Sequence, residues 1–190
     1  MTYAQIEKQD GVAILWLDQP GEKMNMISLD LMEGFAELLH RIVTDDEVKG
    51  VVLISRKEDN FIAGVDLDQL KKVKEPAPVE ALSRQGHVLL NRMADFPKPI
   101  VAALHGATLG GGLEVALACH YRIATDDART VMASPEVKLG LLPAGAATQR
   151  LPPLVGLQRA LDMMLTGKNI YPRRAKRMGL VDEVVHPYGS

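Results

Sequence analysis

The chain alternates short, wholly apolar runs with longer stretches in which apolar residues recur every three or four positions. The runs Val12–Leu17, Val51–Ser55 and Pro99–Leu104 are rich in aliphatic and β-branched residues, and they predict strands covered on both faces. Shorter runs of the same kind predict further strands at Tyr121–Ala124, Val131–Ala133 and Val181–Val185.

Helical spacing fills the segments between these runs. Apolar residues follow Ser28 at helical intervals as far as Val43, and the serine is a suitable N-cap. The same spacing predicts helices over 79–94, 111–120, 145–151, 157–165 and 172–178. Because strand and helix alternate, the pattern predicts an α/β fold with a largely parallel sheet. The Lys71–Pro78 segment combines like charges with prolines and is predicted to be a mobile loop.

Composition restricts the class of protein further. A chain of 190 residues, 47% hydrophobic and 24% charged, is typical of one globular domain, which we assign to residues 1–190. The formal net charge of -2 argues against nucleic-acid binding, which needs a basic surface. No apolar run reaches membrane-spanning length, and the first residues lack the features of a signal peptide. The single cysteine, Cys119, excludes an internal disulfide, and together these features predict a cytoplasmic location.

The most informative segment is Gly110–Glu114, where three glycines lead directly into a glutamate surrounded by apolar residues. Free N–H groups at a helix start stabilise developing negative charge, and glycine lets a ligand approach the backbone closely. A carboxylate buried one turn later is expected to have a raised pKa. The alternative is structural: an acidic residue in the first helical turn complements the helix dipole, and glycines permit tight packing.

Two more segments gain weight beside Glu114. Glu136 is a lone carboxylate that follows a proline between apolar runs, and two carboxylates in different environments can divide acid and base roles. Its alternative is an exposed loop glutamate paired with Lys138. The Asn60–Leu67 segment follows a predicted strand, where ligand sites of open α/β sheets collect. Its alternative is a turn with Gly64 at positive φ and Asp66 capping the next helix.

Other chemistries lack support in the sequence. The five histidines show no metal-ligand spacing, so no metal site is expected. Neither a Gly-x-Gly-x-x-Gly nor a Walker-type loop is present, and no serine has the context of a nucleophile elbow.

At this point the motifs resemble those of the enoyl-CoA hydratase/isomerase, or crotonase, superfamily in order and spacing, over essentially the whole chain. The resemblance rests on His105–Glu114, Ser134–Gly140, Phe61–Asp66 and Thr148–Leu151. Pro20–Asn25, Asp59–Gly64 and Gly179–Val184 look most like the amino-terminal hydratase domain of multifunctional fatty-acid oxidation α-subunits.

The resemblance implies a crotonase (ClpP-like) fold of repeated ββα units and an acyl-CoA substrate, with no cofactor because coenzyme A is part of that substrate. It implies hydration of trans-2-enoyl-CoA to 3-hydroxyacyl-CoA, with enoyl isomerisation, another crotonase reaction or a non-catalytic acyl-CoA-binding module as alternatives. It also implies a trimer-type homo-oligomer, or a thiolase-partnered complex in a longer parent protein.

Residue roles follow from the same resemblance. Glu114 would activate water and Glu136 would deliver a proton to the α-carbon. The backbone N–H groups of Val65 and Gly111 would form the oxyanion hole, with Gly110 and Gly112 keeping the approach clear. Coenzyme A contacts are carried over to Lys23, Met24, Ala63 and Asp66.

The chain departs from the family pattern in two places. Pro143–Arg150 carries alanine at positions where the family commonly has glycine, which is expected to favour a helix and to narrow or shift the range of acyl chains. The chain also lacks the family's further carboxy-terminal helices, so we expect an amino-terminal fragment of a longer protein.

Overall fold

The computed structural model describes residues 3–66 and 75–187. Its strands form two sheets, a larger one of six strands and a smaller one of three. The larger sheet contains β1 (Ala4–Gln9), β2 (Val12–Leu17), β3 (Gly50–Ser55), β5 (Ile100–Leu104), β7 (Tyr121–Thr125) and β9 (Glu183–Val185). These strands follow one another across the sheet in that order; β1 is antiparallel to β2, and the other neighbours are parallel.

A smaller parallel sheet, in the order β4-β6-β8, has strands of three residues each. Its members are β4 (Asn60–Ile62), β6 (Ala107–Leu109) and β8 (Val131–Ala133). The helices are α1 (Leu29–Val43), α2 (Pro76–Ala94), α3 (Gly111–Ala118), α4 (Ala147–Val155), α5 (Leu157–Thr166) and α6 (Pro172–Met178), with a short 3-10 helix at Glu136–Leu139.

The predicted α/β class and largely parallel sheet are confirmed, and the predicted strands and helices all occur with small shifts at their ends. The N-cap at Ser28 is also confirmed, because the Leu31 N–H donates to its hydroxyl at 3.2 Å. The sequence pattern missed β1, β4 and β6. β1 lies at a sheet edge and is mostly exposed, while β4 and β6 are too short to show a period.

Only the second half of the predicted loop at Lys71–Pro78 belongs to the described residues. Its first half, 71–74, lies outside the described residues. In its second half the prediction is wrong, because Pro76 and Pro78 belong to the first turn of α2. Proline is well suited to that position, where its missing N–H would have no intrahelical partner.

One apolar core joins the sheet to the helices. Fully buried side chains of β2, β3, α1, α2 and β5 meet there, including Leu15, Leu53, Leu39, Met93 and Ile100. Burial of this kind stabilises by about 25 cal/mol per Å² of apolar surface, and it fixes the larger sheet against which the small sheet and α3 are packed.

Candidate active site

The small sheet brings three predicted site segments to one edge. Because β4, β6 and β8 are parallel neighbours, their carboxyl ends meet at the same side. Val65 follows β4, Gly111 follows β6 and Glu136 follows β8, each within three residues of the strand end. Residues far apart in the sequence are therefore neighbours for a topological reason.

The hydrogen bonds around Val65 and Gly111 determine whether the N–H groups of these two residues are available to a ligand. The Ile27 N–H donates to the Gly64 carbonyl at 2.8 Å, and the Asp66 N–H donates to the Ile27 carbonyl at 3.2 Å. Alternation along extended backbone turns the Val65 N–H away from Ile27. The Gly111 N–H opens α3, where no carbonyl lies one turn earlier in the helix. Within the described ranges neither N–H has an acceptor.

These two segments are in direct contact. A Cβ on Gly111 would lie 3.4 Å from the Val65 Cγ2 atom, and one on Gly110 would lie 4.0 Å from the Gly64 Cα. A Cβ on Gly110 would also lie 3.2 Å from the Glu136 carboxylate, which brings that side chain to the same place.

The prediction that Gly112 keeps a ligand approach clear is wrong. A Cβ at this position would lie 2.2 Å from the Ile62 carbonyl oxygen. Gly112 is therefore required because the first turn of α3 packs directly on the backbone of β4. Its role is structural, as the alternative interpretation of the glycine run proposed.

Glu114 is buried, with 4% of its surface exposed, and its carboxylate is held by backbone N–H groups. The Gly145 N–H lies 2.9 Å from both carboxylate oxygens, and the Ala147 N–H donates to Oε1 at 2.9 Å. Burial raises the pKa of the Glu114 carboxyl above its ordinary value of 4.5, and the charge of Glu136 raises it further. The N–H groups of Ala147 and Gly145 and the charge of His87 oppose this rise.

The segment that holds Glu114 depends on one glycine. A Cβ on Gly145 would lie 2.4 Å from Glu114 Oε2, so only glycine allows its N–H to approach the carboxylate this closely. The next residue, Ala146, has φ +85, a left-handed conformation. The expectation that alanine favours the helix here is wrong for Ala146, because it precedes α4 in a backbone conformation that a Cβ disfavours.

Glu136 is half-buried at the start of the 3-10 helix, and the hydroxyl of the buried Ser134 donates to its Oε2 at 2.8 Å. The alternative of an exposed loop glutamate paired with Lys138 is wrong, since among the described residues the side-chain partner of Glu136 is Ser134. The contact between Ser134 and Glu136 was not predicted from the sequence. The only indication of this contact in the sequence is that Ser134 lies two residues before Glu136.

The segments expected to contact coenzyme A are joined by Asn25. The Ala63 N–H donates to the Asn25 carbonyl at 2.9 Å, and Lys23 and Met24 are exposed immediately before it. The Asn25 amide donates to Ser55 Oγ at 2.9 Å and to the Phe61 carbonyl at 3.1 Å. This buried asparagine was not predicted to matter. The only indication of its importance in the sequence is that an uncharged polar residue stands between two methionines, Met24 and Met26.

Residues 3–66 and 75–187 contain no helix long and apolar enough to cross a membrane, and no group of three or more His, Cys, Asp or Glu side chains that could hold a metal ion. Burial raises the pKa of the Cys119 thiol to about 12, so it is not a nucleophile near neutral pH. A cavity of about 330 Å³ between α5 and α6 includes neither glutamate in its lining, which is Arg159, Asp162, Lys168, Arg174, Arg177 and Met178.

Comparison with known proteins identifies the family to which the chain is similar. A family model described as enoyl-CoA hydratase/isomerase matches residues 7–187. Proteins named fatty acid oxidation complex subunit alpha, from Shewanella baltica (strain OS185) and Shewanella oneidensis, are 51% and 50% identical over 184 residues. These matches cover 97% of this chain and 26% of each relative, so the chain spans about a quarter of their length.

Solved structures with the same fold are also similar. An enoyl-CoA hydratase from Geobacillus kaustophilus matches with a TM-score of 0.93 and 35% identity, over 98% of this chain and 69% of that one. An enoyl-CoA hydratase from Bacillus anthracis matches with a TM-score of 0.90 and 31% identity, over 97% and 70%. The crotonase fold expected from the motifs is thereby confirmed.

Proposed function

The chain belongs to the enoyl-CoA hydratase/isomerase family, and on that basis we propose that it hydrates trans-2-enoyl-CoA to 3-hydroxyacyl-CoA in fatty-acid β-oxidation. One observation carries the proposal. The Glu114 and Glu136 carboxyl groups are close enough for the charge of Glu136 to act on Glu114, and Glu136 lies beside Gly110. Gly110 precedes Gly111, whose N–H, like that of Val65, has no acceptor among the described residues. A thioester whose carbonyl accepts from both donors would have its reacting carbons next to the carboxylates.

The proposed reaction adds water across the conjugated double bond. Glu114 takes a proton from water, and the water oxygen forms a bond to the β-carbon. The π electrons move onto the thioester oxygen, where the Val65 and Gly111 N–H groups stabilise the enolate. Each such donor contributes about 3–4 kcal/mol in comparable oxyanion holes. Glu136, which enters this step as the carboxylic acid, then gives its proton to the α-carbon. The proton taken up by Glu114 returns to Glu136 by exchange with solvent before the next turnover.

The environments of the two carboxylates support this division of roles. Burial raises the pKa of Glu114, which brings a carboxylate base closer to the working pH. Its oxygens are fixed by Gly145 and Ala147, so the base is positioned before substrate arrives. Ser134 fixes Glu136 from one side and leaves its other oxygen beside Gly110.

Recognition of coenzyme A belongs to the same proposal. Lys23 and Met24 present exposed side chains next to Asn25, which is bonded to Ala63. A lysine ammonium in this position would bind phosphate, while the methionine would contact the uncharged pantetheine arm. Asp66 lies next to Val65 and completes the set.

The decisive experiment follows the conjugated thioester absorbance of crotonyl-CoA with the wild-type chain, E114Q and E136Q. We expect loss of absorbance with the wild type, and a rate lower by about 10²–10⁴-fold in each variant. Binding without turnover in all three would favour an acyl-CoA-binding module. Turnover unaffected by either substitution would refute the assigned roles.

A second substrate separates hydration from isomerisation. A 3-enoyl-CoA gains conjugation, and hence absorbance, only if a proton is moved between the α- and γ-carbons. Both reactions pass through the same stabilised enolate, so a faster rate with the 3-enoyl thioester would reassign the main activity to an isomerase.

Assembly and location are part of the proposal. The curated relatives are named as subunits of a complex, which supports assembly into a complex. The assembly that we propose is a trimer-type homo-oligomer or a complex with a thiolase. Sedimentation of the chain alone and with a thiolase partner tests this. The location proposed is the cytoplasm, tested by fractionation of the source cells.

A further inference from the structure

We infer that the peptide group joining Ala144 to Gly145 is a relay through which Ser83 and His87 position the carboxylate of Glu114. This role for two α2 side chains rests on the proposed function, since it concerns the same carboxylate. Ser83 and His87 are positioning residues here, because neither touches the reacting atoms.

The relay is built from four hydrogen bonds on one peptide group. Ser83 Oγ donates to the Ala144 carbonyl oxygen at 3.1 Å, and His87 Nε2 lies 2.5 Å from the same oxygen. Because a carbonyl oxygen only accepts, His87 Nε2 is the donor in this contact. On the opposite side of the same peptide group, the Gly145 N–H lies 2.9 Å from both oxygens of Glu114.

Peptide geometry links the two sides. The peptide bonds of the described residues are all trans, and a trans peptide is planar with its C=O and N–H in opposite directions. The Gly145 N–H therefore cannot rotate away from Glu114 unless the Ala144 carbonyl leaves Ser83 and His87. Fixing the oxygen on one side fixes the hydrogen on the other.

The segment that contains Ala144 and Gly145 has no regular secondary structure to fix its backbone. Between the 3-10 helix and α4 the chain has no regular structure, and the side chain of Leu142 is 82% exposed. Ala146 adds a left-handed backbone conformation, at φ +85, that costs about 1–2 kcal/mol for a residue with a Cβ. A flip of the Ala144–Gly145 peptide is the movement that would turn the Gly145 N–H away from Glu114.

The position of the two donors on α2 is specific. Ser83 and His87 are four residues apart, so they lie on the same face of the helix and converge on one oxygen. Arg84, the residue after Ser83, instead pairs with Glu80 on the exposed surface. Arg84 therefore offers a matched control on the same helix, outside the relay.

The hydrogen bonds of the relay should also affect the pKa of the Glu114 carboxyl group. Donors on the carbonyl polarise the peptide and strengthen its N–H as a donor to the carboxylate. In the described part of the chain, the titratable groups that act on Glu114 are Glu136 and His87, with opposite signs. Removing the two donors should therefore raise the pKa of Glu114.

The test compares S83A, H87L and the double variant with H87Q, which keeps a donor, and with R84A. With crotonyl-CoA we expect kcat to fall about tenfold to a hundredfold in the double variant while KM is unchanged, as for misplacement of a catalytic group. The kcat of H87Q should stay within about threefold of the wild-type value, and the kcat of R84A should equal the wild-type value. A fall that H87Q shares would overturn the inference, because packing and not the donor would then be responsible.

A measurement without substrate separates this inference from the proposed function. Titration of the Glu114 carboxyl by carbon-13 NMR, assigned with E114Q, should shift to higher pH in the double variant, and the Gly145 amide proton should move upfield. If the wild type does not hydrate crotonyl-CoA, the proposed function fails while this titration still tests the relay. Unchanged titration and amide shift in S83A, H87L and the double variant would overturn the relay.

Discussion

Gly145→Ala tests directly how the backbone holds Glu114. The added Cβ would lie 2.4 Å from Glu114 Oε2, whereas ordinary contact begins at 3.4 Å, so the carboxylate must retreat by about 1 Å. Leu90 Cδ1 would lie 3.2 Å from the new atom, which is also closer than ordinary contact. Gly145 is not in the left-handed region, so the alanine adds a steric clash without backbone strain.

The expected magnitude follows from that displacement. A catalytic group moved by about 1 Å costs about 10²-fold in rate, or about 2.7 kcal/mol in the activation free energy. The assay is steady-state hydration of crotonyl-CoA with the melting temperature measured in parallel. We expect kcat to fall by this factor while the chain remains folded.

Gly34→Ala is the matched control. Gly34 lies in α1 with nothing within 4 Å of its Cβ position, so alanine should leave kcat unchanged. It should also raise the free energy of unfolding by about 0.5–1 kcal/mol, because alanine is the better helix former. A Gly145→Ala enzyme with kcat within about threefold of the wild type would refute the proposed hold on the carboxylate.

Three further predictions concern stability. Ala146→Gly should raise the free energy of unfolding by about 1 kcal/mol in urea titration, because glycine removes the left-handed strain at φ +85; no gain would contradict that strain. Asp182→Ala should lower the free energy of unfolding by about 3 kcal/mol, because it leaves the buried guanidinium of Arg122 without its carboxylate, whereas Asp182→Glu should recover part of the loss. For Glu114, the folded state holds the proton more tightly than the unfolded state, so its stabilising contribution is present below pH 4.5 and is lost as the pH rises through the raised pKa. E114Q should therefore gain stability relative to the wild type as the pH increases above 4.5, and parallel pH curves for the two proteins would contradict the raised pKa.

The hydrophobic pattern predicted most of the elements because strands such as β2 and β3 are long enough to show a continuous apolar run. It missed β4 and β6, whose three residues carry no period. Glu114 and Glu136 were selected as candidate catalytic residues because an ionisable residue in apolar sequence is a local signal. That signal identified Glu114 and Glu136 but not what holds them.

The contacts that hold Glu114 could not be predicted from the sequence, because they join residues that are far apart in the chain. Gly145 is 31 residues from Glu114 in the sequence, and Ser83 is 61 residues from Ala144. Periodicity reports which face of an element is buried, but it does not report which loop meets which helix. Only the tertiary structure reveals that Ala146 is left-handed, although alanine is a helix former by propensity.

The parallel order of β4, β6 and β8 has a consequence for how the chain folds. Parallel strands cannot be joined by a hairpin, so each pairing waits for the long crossover between them to close. The contact of Ala147 with Glu114 closes a further loop of 33 residues. Such non-local contacts slow folding, and the site is complete only when segments as far apart as Val65 and Ala147 have come together. Recovery of activity after dilution from urea should therefore follow the slowest refolding phase, well after helical circular dichroism has returned.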